Sequence, residues 1–532
     1  MNKYNFTWLK ESYVFYGVLL INLILISTIR FYPSMDGPAH LYNSNLICHL
    51  IKGDCSSLSD FFVLNRMPIP NWTSHFILSA FGYILPVWLA DKILLYFYII
   101  GLAISFRLLI NKICPGNYLS VFIFPFTYSF LFHLGFYNYC LSFIFLFFTL
   151  YYWLKTKNEQ STKKYIILSL LIVLAYFSNV LTYCFLGLCL GLFILAFEIT
   201  DYSEKRLILF SIKRTLKKLF QLFLISLPSL VLLIIFYKTT TFFPSESSNS
   251  VNELTKWIND VRALIVYDYL REEKITQQFF HIMIAIVSIS VFLRFQNNNL
   301  KNFTKRINEF DIILIPVMIA LILLYIIPNG SNAGMMSDRF CLMFFILLVI
   351  WVASQPLPKK VSQLFMILII ILHFALLFKH QNKTIKVLNN DALIIEEASK
   401  YIEPGTLVLP VNMTDNWLEV HFSNYLGLNK PIVILENYEA AVGWFPVKWN
   451  FNKLPEIMLG DKKSISGIQW ITNPNSIKTK QIDYVFLYGN ISKINDPKWE
   501  ELKKTLLSHY RLIYTSNNRY IGLYKIRHLN ND

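Results

Sequence analysis

Charged side chains are scarce in this chain: Asp, Glu, Lys and Arg make up 15% of its 532 residues, against about 25% in ordinary soluble domains. Hydrophobic residues make up 55%, so the sequence reads as that of a membrane protein. Cysteine is also sparse. Seven residues are too few for a disulfide scaffold, and Cys114, Cys140, Cys184, Cys189 and Cys341 sit in or beside apolar runs, where the thiol behaves as a small hydrophobe. Only Cys48 and Cys55 share a polar loop; if that loop is extracytoplasmic they could pair. A glycine-rich phosphate loop is missing, since Gly489 after Tyr488 is a lone glycine, and there is no internal repeat or low-complexity tract.

The formal net charge of +16 would by itself suggest nucleic acid. The lysines and arginines, however, cluster in short loops between apolar runs, which is the positive-inside pattern of membrane proteins. No nucleic-acid partner is expected.

A membrane span needs about 20 apolar residues. Tyr13 to Ile29 is the first, preceded by Lys3 and Lys10 and lacking an A-x-A cleavage pattern, so it reads as an uncleaved signal anchor. Further spans are Ile93 to Ile110, two within Tyr118 to Leu154, two within Tyr165 to Ile199, then Phe220 to Tyr237, Phe279 to Leu293, Ile312 to Ile327, Phe340 to Ser354 and Val361 to Phe378. Asn71 to Leu89 is apolar but interrupted by His75 and Pro86. With this stretch lying in the interface and the amino terminus cytoplasmic, the inside loops hold Arg107 and Lys112, Lys155 to Lys164, Lys205 to Lys218, Arg294 to Arg306, and Lys359 and Lys360. The outside hairpins at 134–138, 178–182 and 328–338 then hold no Lys or Arg. A crossing at 71–89 would reverse this, so it is rejected. About 11 transmembrane helices result, in a domain spanning residues 1–384 with long outer loops at 30–92 and 238–278.

From about residue 385 the composition becomes that of a soluble domain. Strand-like runs at Thr406 to Val411, Pro431 to Leu435, Asp483 to Tyr488, Leu512 to Thr515 and Arg519 to Ile526 alternate with helix-like Ala392 to Tyr401 and Pro497 to His509. The expected architecture is a polytopic α-helical membrane protein with a carboxyl-terminal extracytoplasmic α/β domain over 385–532. The abundance of Lys, Asn, Ile and Tyr suggests an AT-rich bacterial genome, hence an inner membrane facing a periplasm.

The stretch from Phe31 to His49, FYPSMDGPAHLYNSNLICH, carries the chemistry-bearing residues nearest the first span. Asp36 would sit at the outer membrane face. With Pro38 two residues on, it also has the form of a helix cap ahead of a helix from Pro38 to Ile51. His40, one turn later, could orient that carboxylate or bind a phosphate.

One span, a long outer loop opening with an acid, six spans and a second long outer loop resemble the seven-span module of the GT-C glycosyltransferases. The resemblance covers roughly residues 1–280 as topology. At residue level it rests on M-D-G-P-A-H-L at 35–41, H-L-G-F-Y-N-Y at 133–139 and S-D-R-F at 337–340. It implies a polyprenyl-phosphate-linked sugar donor, a glycan, lipid or protein acceptor, contact with membrane lipid, Asp36 as base on the acceptor, and Arg339 holding the donor phosphate. Asp338, Tyr137, Asn138 and Asp268 are the further candidates for substrate contacts. A single carboxylate suits an inverting displacement. No cofactor is certain and a divalent metal is possible with unknown ligands; some relatives carry a metal-linked second acid in this loop, but the nearest further acids here are only Asp54 and Asp60, which counts against one. Trp417, Trp444 and Trp449 could stack on a sugar or pack the core.

Two other classes compete. Coupled transporters, such as a lipid or oligosaccharide flippase, bury ionisable groups at mid-span, whereas only His281 and His373 lie well inside the expected spans. The third class is a non-catalytic sensor or scaffold in which the outer α/β domain binds a ligand or partner.

Overall fold

The computed structural model describes residues 10–205, 208–240, 249–296, 309–331, 334–450 and 482–527. Lys3, Arg206, Lys301, Lys305, Arg306, the middle of the 328–338 hairpin, residues 241–248 of the second outer loop and residues 451–481 lie outside them. The chain divides into two compact units. The first takes in the start of the chain to Leu25, Tyr96–Phe132 and Tyr137–Asn382; the second takes in Ile26–Leu95, His133–Phe136 and Lys383–Asp532.

The first unit is helical. Among the described residues, eight helices are long and apolar enough to cross a membrane: Val87–Ile113, Tyr137–Thr156, Val180–Glu198, Ile212–Thr239, Tyr269–Gln296, Glu309–Ile326, Met336–Ala353 and Lys359–His380. Met336–Ala353 is the most enclosed of them, while Ile212–Thr239 is strongly apolar yet has almost no buried residue, its side chains being exposed or half-buried. An apolar face of that extent is unfavourable in water and natural against lipid. The other three expected spans coincide with shorter helical structure: Glu11–Ser27, Thr162–Ser178, and the broken series Leu119–Ile123, Phe124–Thr127 and Phe130–His133. Pro125 opens the middle piece of that series, as expected of a residue without an N–H. The stretch at 71–89 forms the ten-residue helix Thr73–Gly82, about 15 Å long and hence too short to cross.

The second unit is built on a five-stranded sheet. Its strands are β2 (Leu407–Met413), β3 (Val433–Ile434), β5 (Tyr484–Gly489), β6 (Tyr510–Thr515) and β7 (Ile521–Ile526), in the order β3-β2-β5-β7-β6. Strands β3, β2 and β5 run parallel, and β7 and β6 are antiparallel additions. β2 and β5 are buried along nearly their whole length, which is why they read as continuous apolar runs. Gly489 ends β5 at φ +96°, where a Cβ would lie 2.4 Å from the Thr414 backbone nitrogen; the lone glycine is a structural necessity of that turn.

The domain boundaries expected from composition differ from these units. The opening loop belongs with the carboxyl-terminal part: β1 (Phe62–Leu64) pairs antiparallel with β4 (Val447–Trp449), and Phe62 stacks on Trp449 at 4.3 Å. The Tyr42 hydroxyl donates to Ile432 O (2.7 Å) and accepts from Ile434 N (3.0 Å), tying the helix Gly37–Lys52 to β3. Cys48 and Cys55 are not bridged; the Cys48 thiol donates to Ser79 O, and Cys55 contacts Ser57.

Candidate functional site

The helix Gly37–Lys52 starts with Pro38 in its first turn and ends at Gly53, whose N–H bonds His49 O at φ 65°; proline at the start and glycine past the end are the usual punctuation. From Gly37 to Cys48 every residue is buried, including His40, Asn43, Ser44 and Asn45. A polar helix face can be buried only if its groups find partners, and these come largely from distant parts of the sequence. Asn43 and Asn437 exchange side-chain hydrogen bonds at 3.0 and 2.8 Å, and Asn45 donates to Gly427 O at 2.8 Å.

Asp36 occupies the cap position of this helix but makes no side-chain cap bond. Its carboxylate instead accepts from the Tyr438 hydroxyl and lies 3.5 Å from His421 Nε2. The other nitrogen of His421 is hydrogen-bonded to Glu436, and Glu436 also accepts from Ser423 and Asn424 at 2.9 Å each. The His421 ring stacks on Tyr438 with centroids 4.3 Å apart. Burial pushes the Asp36 carboxyl above its ordinary range, against the opposing pull of His421 and His40.

The backbone that presents Asp36 is fixed by the 133–136 turn. Met35 N donates to His133 O and Asp36 N to Leu134 O, both at 3.0 Å, and His40 Nε2–H donates to Gly135 O at 2.8 Å. Gly135 has φ +84°, and a Cβ there would meet Asp36 Cβ, Asp36 N and Gly37 N at 2.8 Å. Two of the sequence motifs, at 35–41 and at 133–136, therefore meet in space.

Beside Asp36 lies a buried cluster of His40, His75 and Glu439. Glu439 lies in the single-turn helix Tyr438–Val442 and is completely buried, as is His75 on the helix Thr73–Gly82. His40 Nδ1 is 2.5 Å from Glu439 Oε1, His75 Nε2 is 2.8 Å from Glu439 Oε2, and the two imidazole nitrogens are 3.4 Å apart. Asn43 also donates to Glu439 Oε2 at 2.8 Å. Burial disfavours the Glu439 charge, but the two imidazoles outweigh it and hold the carboxyl at about 2. Burial would likewise lower His40, yet Glu439 and Asp36 raise it, whereas for His75 burial wins and its pKa falls. These three side chains are the described group able to hold a metal ion. Asp54, one of the two further acids of the opening loop, is paired with His49 at 2.7 Å.

His75 also forms part of the wall of a groove of about 560 Å³ between the helices Gly37–Lys52 and Thr73–Gly82. Ile47, Phe76 and Tyr83 make much of its surface apolar, and the exposed Arg66 is its charged side chain.

Of the remaining sequence candidates, Asp338, Arg339, Tyr137, Asn138 and Asp268 lie in the first unit among partners of their own. Asp338 is buried 3.8 Å from Arg262. Arg339 Nε donates to Gly334 O, its carbonyl accepts from Tyr139, and its guanidinium lies 5.6 Å from the Tyr139 ring. Tyr137 and Asn138 are buried at the start of the helix Tyr137–Thr156. Asp268 accepts from Arg271 N at the start of the helix Tyr269–Gln296 and pairs with the Arg271 side chain at 3.0 Å, a capping role. Glu272, in the same helix, is buried and accepts from Val266 N, Tyr267 N and Asp268 N. Trp449 packs in the core, and its indole N–H donates to Asn437 O. His75, His421, Glu436, Tyr438 and Glu439 were not identified as functional from the sequence; the visible signal was a histidine interrupting an apolar run at 75 and acids at 436 and 439 beside apolar strands.

The fold and cluster define a polytopic helical protein with a sheet-based unit that buries together an aspartate, three histidines and a glutamate, with Glu436 half-buried beside them. Comparison with known protein families and with curated proteins finds no match to this chain.

Proposed function

We propose that the protein is an integral membrane glycosyltransferase of the GT-C kind, with about 11 spans, its amino terminus in the cytoplasm and its carboxyl-terminal unit on the outer face of a bacterial inner membrane. It moves a sugar from a polyprenyl-phosphate donor to an acceptor with inversion. Asp36 takes the proton as the acceptor hydroxyl attacks the anomeric carbon, and the sugar–phosphate bond breaks with its electron pair leaving on the lipid phosphate.

The observation that carries this reading is the carboxylate of Asp36, released from helix capping and held by Tyr438 and His421 in the same unit as an apolar groove bearing Arg66. A raised carboxyl suits a base that must exchange a proton near neutral pH. Phe76, 73% exposed in the wall of that groove, offers an apolar surface to a prenyl tail, and Arg66 offers positive charge to its phosphate.

The test uses full-length protein in lipid nanodiscs with a panel of labelled polyprenyl-phosphate sugars. Transfer or hydrolysis of one donor is expected, falling by about 10²–10⁴-fold in Asp36→Asn. Donor flipping without transfer would make the protein a transporter. Neither activity, or equal transfer by wild type and Asp36→Asn, would overturn the proposal.

A further inference from the structure

We propose that His40, His75 and Glu439 form a binding site for a divalent transition-metal ion of the zinc class. Two imidazoles and a carboxylate are a common ligand set for such ions, leaving a fourth position for water or substrate. In a tetrahedral site with bonds of about 2.1 Å, neighbouring ligand atoms are about 3.4 Å apart. His40 Nδ1 and His75 Nε2 are separated by 3.4 Å. The carboxylate contacts, at 2.5 and 2.8 Å, are shorter than such an edge, so an ion entering between them would displace Glu439 by less than about 1 Å.

The surrounding shell is oriented for this task. His40 donates its other ring N–H to Gly135 O, which turns the Nδ1 lone pair of the neutral ring toward the cluster. His75 also bonds the Asn71 backbone, and Glu439 Oε2 is held by Asn43. Outer partners of this kind fix ligand tautomer and direction at metal sites. Glu439 Oε1 is the independent sign. It is buried and accepts no aligned hydrogen bond; His40 Nδ1, 2.5 Å away, meets it as an ion-pair contact. A buried carboxylate oxygen without an aligned donor is short of a partner that a bound cation would supply.

The ion would also link segments that β-pairing alone does not join: residue 40, residue 75 and residue 439 lie on three separate helices.

The experiment reads metal and not sugar transfer, so a protein that binds the ion and transfers nothing keeps this site and loses the proposed reaction. Full-length protein is stripped with chelator in detergent, then titrated with Zn²⁺ by calorimetry and with Co²⁺ by visible absorption. One equivalent per chain with a tetrahedral Co²⁺ spectrum is expected, and Zn²⁺ should raise the melting temperature. Glu439→Gln should weaken Zn²⁺ by more than about 100-fold. His75→Cys should retain Co²⁺ and add a thiolate-to-cobalt charge-transfer band, a signature no purely structural effect produces. His49→Ala, which alters the exposed pair with Asp54, should change nothing. Absence of Zn²⁺ and Co²⁺ binding by the folded wild type, or a Co²⁺ spectrum identical in wild type and His75→Cys, would overturn the proposal.

Discussion

Replacing Glu439 with alanine isolates what the buried carboxylate does for the fold. Glu439 is fully buried and lies within 2.8 Å of both His40 and His75. In Glu439→Ala, Asn43 keeps Ala39 O at 2.9 Å and Asn437 Oδ1 at 3.0 Å, so its amide is not orphaned. What disappears is the countercharge to the buried His40 imidazole, whose pKa that carboxylate raises, and the acceptor of the His75 N–H. Breaking a buried charged pair by removing one member costs about 3–5 kcal/mol. For a unit of this size, each kcal/mol lowers the melting temperature by about 2–4 °C, so a fall of roughly 6–20 °C is expected. Glu439→Gln keeps an acceptor for Asn43 and for a His75 N–H, and should lose only about 1–3 kcal/mol.

The assay is thermal unfolding of chelator-treated full-length protein in detergent, followed by tryptophan fluorescence; Trp449, bonded to Asn437 O, reports from beside the cluster. The pH dependence has a definite sign. The Glu439 carboxyl is held down at about 2 from an ordinary 4.5, so its contribution is present above about 4.5 and is lost as pH falls toward 2. His40, raised by the same carboxylate, contributes fully below its ordinary 6.5 and loses its share as pH climbs through the raised value, so the gap between wild type and Glu439→Ala should be full at pH 5 and narrow on the alkaline side. A loss below about 1 kcal/mol, or Gln as damaging as Ala, would refute the view of Glu439 as a buried countercharge.

Gly135→Ala should lower both melting temperature and transfer, the latter by roughly 10-fold or more, because its Cβ would displace the Asp36 backbone. Gly116→Ala, also at positive φ but in open space, should carry only the backbone strain and leave transfer unchanged. Tyr42→Phe strips the hydroxyl that serves Ile432 O and Ile434 N, and should cost about 1–3 kcal/mol in the same melting assay. Asp391 is raised to about 7 by burial and then by Glu419. A raised carboxyl loses folded-state stability as pH climbs from about 4 through about 7, so Asp391→Asn should gain about 2 kcal/mol at pH 8, after allowance for screening, and little at pH 4.

What the sequence made legible, and what it did not, follows from the range of the interactions involved. The five strands of the main sheet were readable because β-strand burial is written locally, as in the apolar runs at 407–413 and 484–489. The helix after Asp36 was readable from Pro38 and Gly53. Its partners were not. Asn43 meets Asn437 across 394 positions and His75 meets Glu439 across 364, and no periodicity links residues so far apart. The polar residues 43 to 45 were nonetheless a signal, since three consecutive polar side chains on a helix that also presents Leu41, Leu46 and Ile47 to the interior require a second polar surface to meet them.

Asp36 shows the limit of local rules from the other side. Its position ahead of Pro38 has every local feature of a cap, which would stabilise the helix by about 1 kcal/mol. Pro38 carries no N–H, and His40 N already bonds the Asp36 main-chain oxygen at 3.1 Å, so part of the usual demand at this helix start is absent or met by backbone. Tyr438 and His421, which arrive from the far end of the chain, engage the side chain instead. The same dipeptide context that favours a cap thus leaves the carboxylate available once tertiary partners compete for it, and the outcome is decided by residues 421 and 438, not by residues 36 to 40.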